Sequence, residues 1–221
     1  MIDNSRIEIR EANLEDVNFI SEAIIEAEKS STKNNGLAKT FKLSDDELKK
    51  YLVQILQEEE DGCELSLSSF LVACYDGEPV ATLAGWTEGV NETQSAFLKA
   101  NLLSYYIPRE NIMFSREIKE IVADIQIPRE EGKYQIEFDY TKPEFRGNGL
   151  KGLLLKAHLD KAKCKNSNVH TCQTHVFANN EKNIRANGKA GFKIVKRFTS
   201  NNPSILEYYP DSTLLLMELE F

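Results

Sequence analysis

Two carboxylates stand two residues apart in the segment 134–140, just before a cluster of glycines. Carboxylates accept protons at neutral pH, so such a pair can serve in general base catalysis. The segment alternates polar and apolar residues, which predicts a β-strand. Its polar residues, expected on one side, are Gln135, Glu137 and Asp139. Its apolar residues, expected on the other side, are Ile136 and Phe138. The polar side either faces solvent or lines a substrate cleft, and both interpretations are open at this point.

The glycine cluster follows this strand after a short loop and consists of Gly147, Gly149 and Gly152. Because glycine has no Cβ, the backbone there lets a ligand approach closely. Apolar residues at helical spacing come next, so the cluster opens a helix. The free N–H groups and the positive dipole end of a helix favour an anion. The cluster therefore predicts a pyrophosphate-binding site.

Residues 147–152 also match the pattern GxGxxG of dinucleotide-binding folds. In those folds the glycines follow the first strand almost at once, and an acidic residue about 20 positions later holds the ribose. Here the segment Thr141–Arg146 intervenes, and the region around Cys172 has no acidic residue. A phosphate loop of the Walker type would need Ser or Thr after Gly-Lys, and that is absent. A nicotinamide or flavin site is the weaker interpretation.

The elements that must position these residues alternate between strands and helices. A strand at 7–11 precedes a helix capped by Asn13, and Ser44 with Glu47 forms the capping-box pattern of a second helix. A hairpin is predicted to turn at Asp76-Gly77. The later predicted strands are 134–140, 171–177, 193–198 and 213–221, and the later predicted helices begin at 150 and 181.

The loop Pro143–Leu150 resembles the acetyl-CoA loop of the GNAT superfamily of N-acetyltransferases, which has the pattern Gln/Arg-x-x-Gly-x-Gly/Ala after a strand and a proline. A second segment, Asn180–Phe192, is similar to the family's asparagine, short helix and closing Gly-Phe. The resemblance implies an α/β (α+β) fold with a mixed, mostly antiparallel central sheet flanked by helices. Residues 1–221 would form one acetyltransferase domain. Residues 88–132, predicted as two helices, would be a helical insertion before the catalytic strand.

The resemblance implies direct acetyl transfer from acetyl-CoA to an amine, which must first lose a proton. Glu137 is the predicted base, Asp139 would orient the amine, and His175 on the next strand is a candidate second base. Backbone N–H groups near Tyr140 and Thr141 would bind the thioester oxygen. The residues predicted to bind the rest of the cofactor are Arg146, Gly147, Asn148, Gly149, Leu150, Lys151, Gly152 and Asn180.

Some positions depart from the family pattern or carry two interpretations. Lys151 stands where Gly or Ala is usual, and its side chain would either contact a phosphate or point to solvent. Asn187 stands where the family often has a tyrosine near the leaving thiolate, and an amide donates a hydrogen bond but supplies no proton. Tyr208 and Tyr209 are candidate replacements for that tyrosine. Asn180 would either contact the pantetheine arm or cap its own helix.

Composition narrows the remaining classes of function. The chain has 221 residues and a net charge of −8, which argues against a general nucleic-acid-binding protein. No apolar stretch is long enough to span a membrane, and the N-terminus lacks the apolar run of a signal peptide. The four cysteines show neither metal-ligand nor disulfide spacing, so no metal is expected and a reducing, cytoplasmic location is favoured. A symmetric dimer is the default oligomer for such an enzyme.

The expected function is transfer of an acetyl group from acetyl-CoA to a primary amine of a small molecule by direct attack in a ternary complex. Two alternatives stay open. One is a catalytically silent acyl-CoA-binding or regulatory module, which Asn187 favours and Glu137 opposes. The other is a protein N-terminal or lysine acetyltransferase.

Overall fold

The computed structural model describes residues 2–30, 32–89 and 92–221. Met1, Ser31, Val90 and Asn91 lie outside these ranges, the last two in the predicted insertion. The helices and strands within them are β1 Ile7–Glu11, α1 Val17–Glu28, α2 Gly36–Thr40, α3 Asp45–Ile55, β2 Phe70–Tyr75, β3 Glu78–Thr87, α4 Ser95–Tyr106, α5 Arg109–Glu117, α6 Lys119–Val122, β4 Tyr134–Thr141, α7 Leu150–Lys165, β5 Thr171–Phe177, α8 Glu181–Lys189, β6 Lys193–Thr199, α9 Ile205–Tyr208 and β7 Thr213–Glu220.

The strands of the described ranges form a seven-stranded sheet in the order β1-β2-β3-β4-β5-β7-β6. Neighbouring strands pair antiparallel except β4 and β5, which pair in parallel. That parallel pairing joins only Tyr134 to Cys172 and Gln135 to Gln173. Beyond Gln135 the two strands are no longer paired, so an opening forms in the middle of the sheet. The predicted fold class, a mixed and mostly antiparallel sheet flanked by helices, is confirmed.

Helices cover both faces of the sheet and bury apolar side chains against it. On one face, α1 and α3 contribute Ile20, Ile24 and Leu52 to a core that also contains Phe138 of β4. On the other face, α7 contributes its own apolar stripe, and the residues of this second core include Leu83, Tyr134, Ile136, Leu150, Leu154 and Met217. Each fully buried aliphatic or aromatic side chain contributes about 1.5–3 kcal/mol. None of the described helices is long and apolar enough to cross a bilayer.

Local sequence signals determine several element boundaries. Ser44 and Glu47 form the predicted capping box at the start of α3, in which the side chain of each accepts a hydrogen bond from the backbone N–H of the other. The hairpin turns at Asp76-Gly77, where both residues have a positive φ. Gly191 follows the end of α8 with φ of +101°, a conformation that favours glycine. These predictions are confirmed.

The short helices are where the sequence-based assignment fell short. Residues 88–132 contain α4, α5 and α6 rather than the two predicted helices. Pro108 ends α4 as expected, but α5 begins directly after it and buries none of its residues, so no apolar stripe marks it. The sequence also gave no signal for α2 and α9, which have five and four residues. Helices this short show too little periodicity to be recognised.

A buried tyrosine–histidine pair fixes how α7 packs on β3 and β4. The Nε2–H of His158 donates to the carbonyl oxygen of Leu83 at 2.8 Å, so its Nδ1 accepts from the hydroxyl of Tyr134, also at 2.8 Å. Burial lowers the pKa of His158 to about 4, so the imidazole is neutral. Gly85 lies against this pair, because a Cβ at Gly85 would come within 2.6 Å of His158 Nδ1 and 2.7 Å of Tyr134 Oη.

We therefore expect Gly85→Ala to lower the free energy of unfolding by about 2–3 kcal/mol, because a methyl group must displace hydrogen-bonded ring atoms. Chemical denaturation measures this loss. Gly188→Ala is the control, because nothing lies within 4 Å of a Cβ there, and it should leave stability unchanged or raise it by about 0.5–1 kcal/mol. Equal stabilities for the two variants would contradict the close packing at Gly85.

Candidate functional site

A groove of about 1430 Å³ opens where β4 and β5 diverge. Its lining includes Ile136–Thr141 of β4 and Thr174–Phe177 of β5 on either side of the opening. At one end it reaches the glycine-containing loop, through Arg146, Gly147 and Lys151. Its walls also include residues of α1, α4 and α5. The predicted insertion therefore lines the same groove as the predicted anion loop.

A β-bulge in β4 sets the direction of the side chains along this opening. Thr82 pairs with Tyr140 whereas Ala84 pairs with Glu137, so β4 carries one more residue than β3 between these pairs. Phe138 adopts φ of +52°, a left-handed conformation that costs a non-glycine residue about 1–2 kcal/mol. The bulge reverses the alternation of the strand, since Ile136 packs in the α7 core whereas Phe138 packs in the α1–α3 core.

This bulge corrects two predictions made from strict alternation. Ile136 and Phe138 do not share a side of the sheet, and neither do Glu137 and Asp139. The carboxylate of Asp139 lies 2.8 Å from Nζ of Lys151 on α7, whereas Glu137 belongs to the α1 side of the sheet with Gln135. A bulge needs only one residue of altered backbone, and nothing about a phenylalanine in an alternating segment signals it.

Glu137 is held by two cationic or potentially cationic neighbours. Its Oε1 accepts from Nη2 of Arg129 at 2.9 Å and lies 3.4 Å from Nδ1 of His175. Burial raises the pKa of the Glu137 carboxyl, but Arg129 and His175 outweigh burial and lower that pKa to about 2. A carboxylate of such low pKa is a weak proton acceptor at neutral pH. The assignment of Glu137 as the base stays a prediction.

Arg129 is the centre of this charged cluster, and sequence analysis assigned it no role. It comes from the segment between α6 and β4, and its side chain is only 14% exposed. Its guanidinium stacks 4.7 Å above the ring of Trp86 and donates to Gln135 Oε1 at 3.2 Å. It also lies 3.8 Å from the carboxylate of Glu64. Because the partners come from distant parts of the chain, no local pattern could have identified it.

Glu64 and Lys99 form a second buried pair in the groove wall. Nζ of Lys99, on α4, lies 3.0 Å from Oε1 of Glu64. Burial lowers the pKa of the Lys99 ammonium, but Glu64 and Glu28 outweigh burial, and the pKa lies above its ordinary value. The sequence weakly indicates that Lys99 faces the protein interior, because it stands four residues before the buried Leu103 on the same helix face.

Glu28 is a further groove carboxylate that sequence analysis missed. It ends α1, and its Oε2 accepts from the backbone N–H of Leu37 at 3.1 Å. Burial raises the pKa of the Glu28 carboxyl, as do Glu137 and Glu64, against the opposing effect of Lys99. Glu28 continues the buried row of Ile20 and Ile24 at four-residue spacing, so a charged residue on an apolar helix face was the signal.

The glycine loop has the geometry of an anion site. Gly147 and Gly149 have φ of +81° and +79°, and nothing lies within 4 Å of a Cβ at either of them or at Gly152. Gly149 is the N-cap of α7 and supplies no side-chain cap, so the first N–H groups of the helix depend on other partners. Leu150 is buried and anchors the helix start. The loop therefore fits a group with phosphate-like oxygens.

The polar side chains of the loop hold its shape. Nε of Arg146 donates to the carbonyl oxygen of Thr141 at 2.9 Å. The Oδ1 of Asn148 accepts from the backbone N–H of Ile2 at 3.2 Å, and its Nδ2 donates to the carbonyl oxygen of Phe145 at 3.0 Å. These contacts brace both ends of the loop, and any contact of these side chains with a bound phosphate stays a prediction.

Lys151 does not point to solvent. Its Nζ lies 2.8 Å from Asp139 and donates to Oδ1 of Asn183 at 2.5 Å, so it connects α7, β4 and α8 across the groove. Asn180 caps α8 by accepting from the backbone N–H of Asn183 at 3.2 Å, which confirms the capping prediction. Its Nδ2 donates to Ser30 Oγ at 3.0 Å.

The candidate acids and the second base lie in different surroundings. Asn187 is buried, contacts the sulfur of Met217 at 3.9 Å and is not among the groove-lining residues. Tyr209 lines the groove and Tyr208 does not. His175 also lines the groove, and its Nε2 is buried with no hydrogen-bond partner among the described residues. Their chemical roles stay predictions. Tyr140 and Thr141 line the groove at the loop end.

Comparison with known proteins gives a consistent result. A profile of the Acetyltransferase (GNAT) family matches residues 37–192. The structure is similar to an N-acetyltransferase from Staphylococcus aureus Mu50, with a TM-score of 0.65 and 18% identity, covering 96% of this chain and 100% of that chain. No sequence among the curated proteins matches the chain.

Two similar structures were solved with a bound cofactor or product. One is yncA from Salmonella typhimurium with its cofactor acetyl-CoA, at a TM-score of 0.51 and 15% identity, covering 97% of this chain and 93% of that chain. The other is PaiA N-acetyltransferase from Thermoplasma acidophilum in complex with coenzyme A. It matches with a TM-score of 0.54 and 17% identity, covering 97% of this chain and 99% of that chain. At these identities the likeness is one of fold.

We expect Arg129→Ala to lower the free energy of unfolding by about 3–5 kcal/mol, because it leaves Glu64 and Glu137 buried without their shared cation. Arg185→Ala serves as the control. Arg185 forms an exposed pair with Glu181, so its loss should cost no more than about 0.5 kcal/mol. Urea denaturation of both variants measures the difference, and a loss below about 1 kcal/mol for Arg129→Ala would contradict the central position of this guanidinium.

Proposed function

The chain belongs to the Acetyltransferase (GNAT) family, and on this basis we propose that it transfers an acetyl group from acetyl-CoA to a primary amine of a small molecule. The amine attacks directly in a ternary complex. The observation that carries this proposal is one continuous groove, which joins an uncapped, glycine-rich helix N-terminus to a set of buried carboxylates. An anionic cofactor and a cationic acceptor therefore have adjacent places.

The loop residues fit acetyl-CoA, which supplies the activated acetyl group as a thioester when bound. The N–H groups from Arg146 to Leu150 would hold its pyrophosphate, since a Cβ at Gly147 or Gly149 meets only open space. Lys151 and the Arg146 guanidinium would add positive charge beside it. Asn180 would face the pantetheine arm. Backbone N–H groups of Tyr140 and Thr141 would stabilise the thioester oxygen as negative charge develops on it.

Direct attack is supported by the positions of the cysteines. None of the four is among the groove-lining residues. Cys172 is buried in the α7 core, and burial raises the pKa of its thiol far above the ordinary value. A buried thiol of high pKa is a poor nucleophile. The amine is therefore the group that attacks the thioester. All four cysteines are free, in keeping with the proposed reducing, cytoplasmic location.

A small-molecule acceptor is supported by the composition of the groove wall. Carboxylates of Glu28, Glu64 and Glu137 face the same region as the cations of Lys99 and Arg129. Within the described residues Glu28 forms no ion pair, whereas Glu64 and Glu137 do, so the negative charge of Glu28 favours a positively charged amine. The helical insertion supplies part of that wall through Ser95–Leu103 and Ile112–Arg116, and walls on several sides suit a compact acceptor better than an extended polypeptide.

Two other candidate functions rest on specific observations. The burial of Asn187 outside the groove and the low pKa of Glu137 would suit a silent acyl-CoA-binding module. The groove volume of about 1430 Å³ would also suit a protein N-terminus or lysine. A thiol-release assay with acetyl-CoA and a panel of amines, diamines, amino acids and peptides tests all three. Turnover on a small amine is expected. Coenzyme A binding without turnover on any acceptor would favour the silent module, and turnover on peptides alone would favour protein acetylation.

The cofactor loop has its own test at Gly152. Gly152→Glu should weaken coenzyme A binding at least about tenfold, because it places a negative charge at the helix end proposed to hold the pyrophosphate. Gly152→Ala is the matched control, since a Cβ there meets nothing within 4 Å, and it should bind normally. Isothermal titration calorimetry with coenzyme A measures both. Normal affinity in a folded Gly152→Glu variant would refute the loop assignment.

A further inference from the structure

We propose that Glu28, at the end of α1, is the catalytic residue that takes the proton from the acceptor ammonium. The inference rests on the proposed function and names the base for it. Three features of the groove support it: the position of Glu28, the carboxylate oxygen it leaves free, and the cations that already pair with Glu64 and Glu137 but not with Glu28.

Glu28 stands at the end of α1, in the wall of the groove. It lines the groove together with Glu137 and Tyr209. Gly36 provides the room, because a Cβ at Gly36 would lie 3.2 Å from the Tyr209 ring and 3.4 Å from Glu28 Oε2. Glu28 is half-buried, so a small molecule in the groove can reach its carboxylate while bulk water has restricted access.

The hydrogen bonding of Glu28 leaves one oxygen available. Within residues 2–30, 32–89 and 92–221, its only hydrogen bond is the one from Leu37 N–H to Oε2, and it forms no ion pair. The bond from Leu37 orients the carboxylate and leaves Oε1 without a partner. Lys29, the next residue, does not compensate Glu28, since its Nζ lies 2.7 Å from Glu26 and 3.1 Å from Asp45.

The other groove carboxylates are already engaged. Glu64 pairs with Lys99, and Glu137 pairs with Arg129 and contacts His175. Glu88 accepts from the backbone N–H and hydroxyl of Ser95 and from the indole of Trp86. Oε2 of Glu64 is also buried without a hydrogen-bond partner among the described residues, but the charge of that carboxylate is already balanced by Lys99. Within the described residues Glu28 forms no ion pair, so its negative charge is the one that an incoming ammonium would balance.

The charged and titratable groups facing Glu28 come from several elements. They are Lys99 of α4, Glu64 before β2, Glu137 of β4 and Tyr209 after α9. Burial and the two glutamates raise the pKa of the Glu28 carboxyl, and Lys99 opposes them. A raised pKa brings a carboxyl closer to the operating pH, where a general base is most effective.

Protons and electron pairs are conserved when Glu28 acts as the base. The acceptor R–NH₃⁺ gives one proton to the Glu28 carboxylate, which becomes neutral, and the resulting R–NH₂ has a free electron pair. This pair forms the N–C bond to the acetyl carbon while the C–S bond breaks and its electrons leave with the thiolate of coenzyme A. The thiolate takes the second proton of the nitrogen, and Glu28 releases its proton to water.

The test compares pH profiles of kcat/KM for Glu28→Gln and Glu137→Gln, using the best amine of the panel. Glu28→Gln should lower kcat/KM at least about 100-fold at neutral pH. The deficit should narrow at high pH, where the amine loses its proton unaided. Glu137→Gln should keep the acidic limb of the wild-type profile, which is the fall in kcat/KM as the pH is lowered. Glu28→Asp should keep that limb with a reduced rate. The control is Glu78→Gln, at an exposed residue of β3 outside the groove, which should match the wild type.

Two measurements separate catalysis from folding. Coenzyme A affinity should be the same in Glu28→Gln and the wild type. A raised folded-state pKa means that the Glu28 carboxyl contributes stability below its ordinary pKa and loses that contribution as pH rises through the folded pKa. The Tm of Glu28→Gln should therefore equal or exceed that of the wild type at pH 8. A marked fall in Tm, or in coenzyme A affinity, would overturn the described role.

The remaining outcomes are also decisive. If the wild type is active and Glu28→Gln keeps both its activity and the fall in kcat/KM at low pH, this inference is overturned. The proposed function is then left intact. Loss of the limb in Glu137→Gln alone would assign the base to Glu137 instead. A wild type that transfers acetyl groups to no amine in the panel would overturn the proposed function and this inference together.

Discussion

The structure depends on the early divergence of β4 and β5. These strands share only two residue pairs before they separate, so the backbone groups along their facing edges are no longer satisfied by each other. Buried backbone N–H and C=O groups need partners, and a strand edge inside a protein is costly unless something pairs with it. A cleft of this kind keeps a place in the middle of the sheet for an extended ligand with its own hydrogen-bonding groups.

Opening the sheet brings charge into the interior. Arg129, Glu64, Lys99 and Glu137 all lie in the wall of the opening and form ion pairs with one another. Burying such groups costs solvation free energy that their mutual attraction only partly offsets. The cluster is therefore better understood as the means of fixing the polarity of the groove than as a source of stability. Trp86, stacked on Arg129, shields it from solvent.

The sequence predicted the parts of this arrangement that local chemistry determines. Capping at Ser44 and Asn180, the turn at Asp76-Gly77 and the glycine loop each depend on residues within a few positions of one another, and each could be predicted. The charged cluster could not, because Arg129 and Glu64 are 65 positions apart and meet only in the folded chain.

The bulge at Phe138 escaped prediction for a different reason. Its altered backbone is imposed by the register with β3, and a phenylalanine gives no sign of a left-handed φ. Glu28 was missed as well, because the only sign that it lies in the groove was a single charge at the end of an apolar helix face. The glycine loop could therefore be predicted from the sequence in detail, whereas the charged part of the groove was predicted only as a strand with carboxylates.

The bulge also has a consequence for how such a site can diversify. Because it turns Asp139 toward α7 while Glu137 stays on the α1 side, two carboxylates only two positions apart in β4 lie on opposite faces of the sheet. Under the proposed function, a substitution at one of these positions would alter the acceptor side without disturbing the cofactor side, and the reverse would also hold. Mutations in this short stretch of β4 would then act on two traits separately, which strict alternation would not allow.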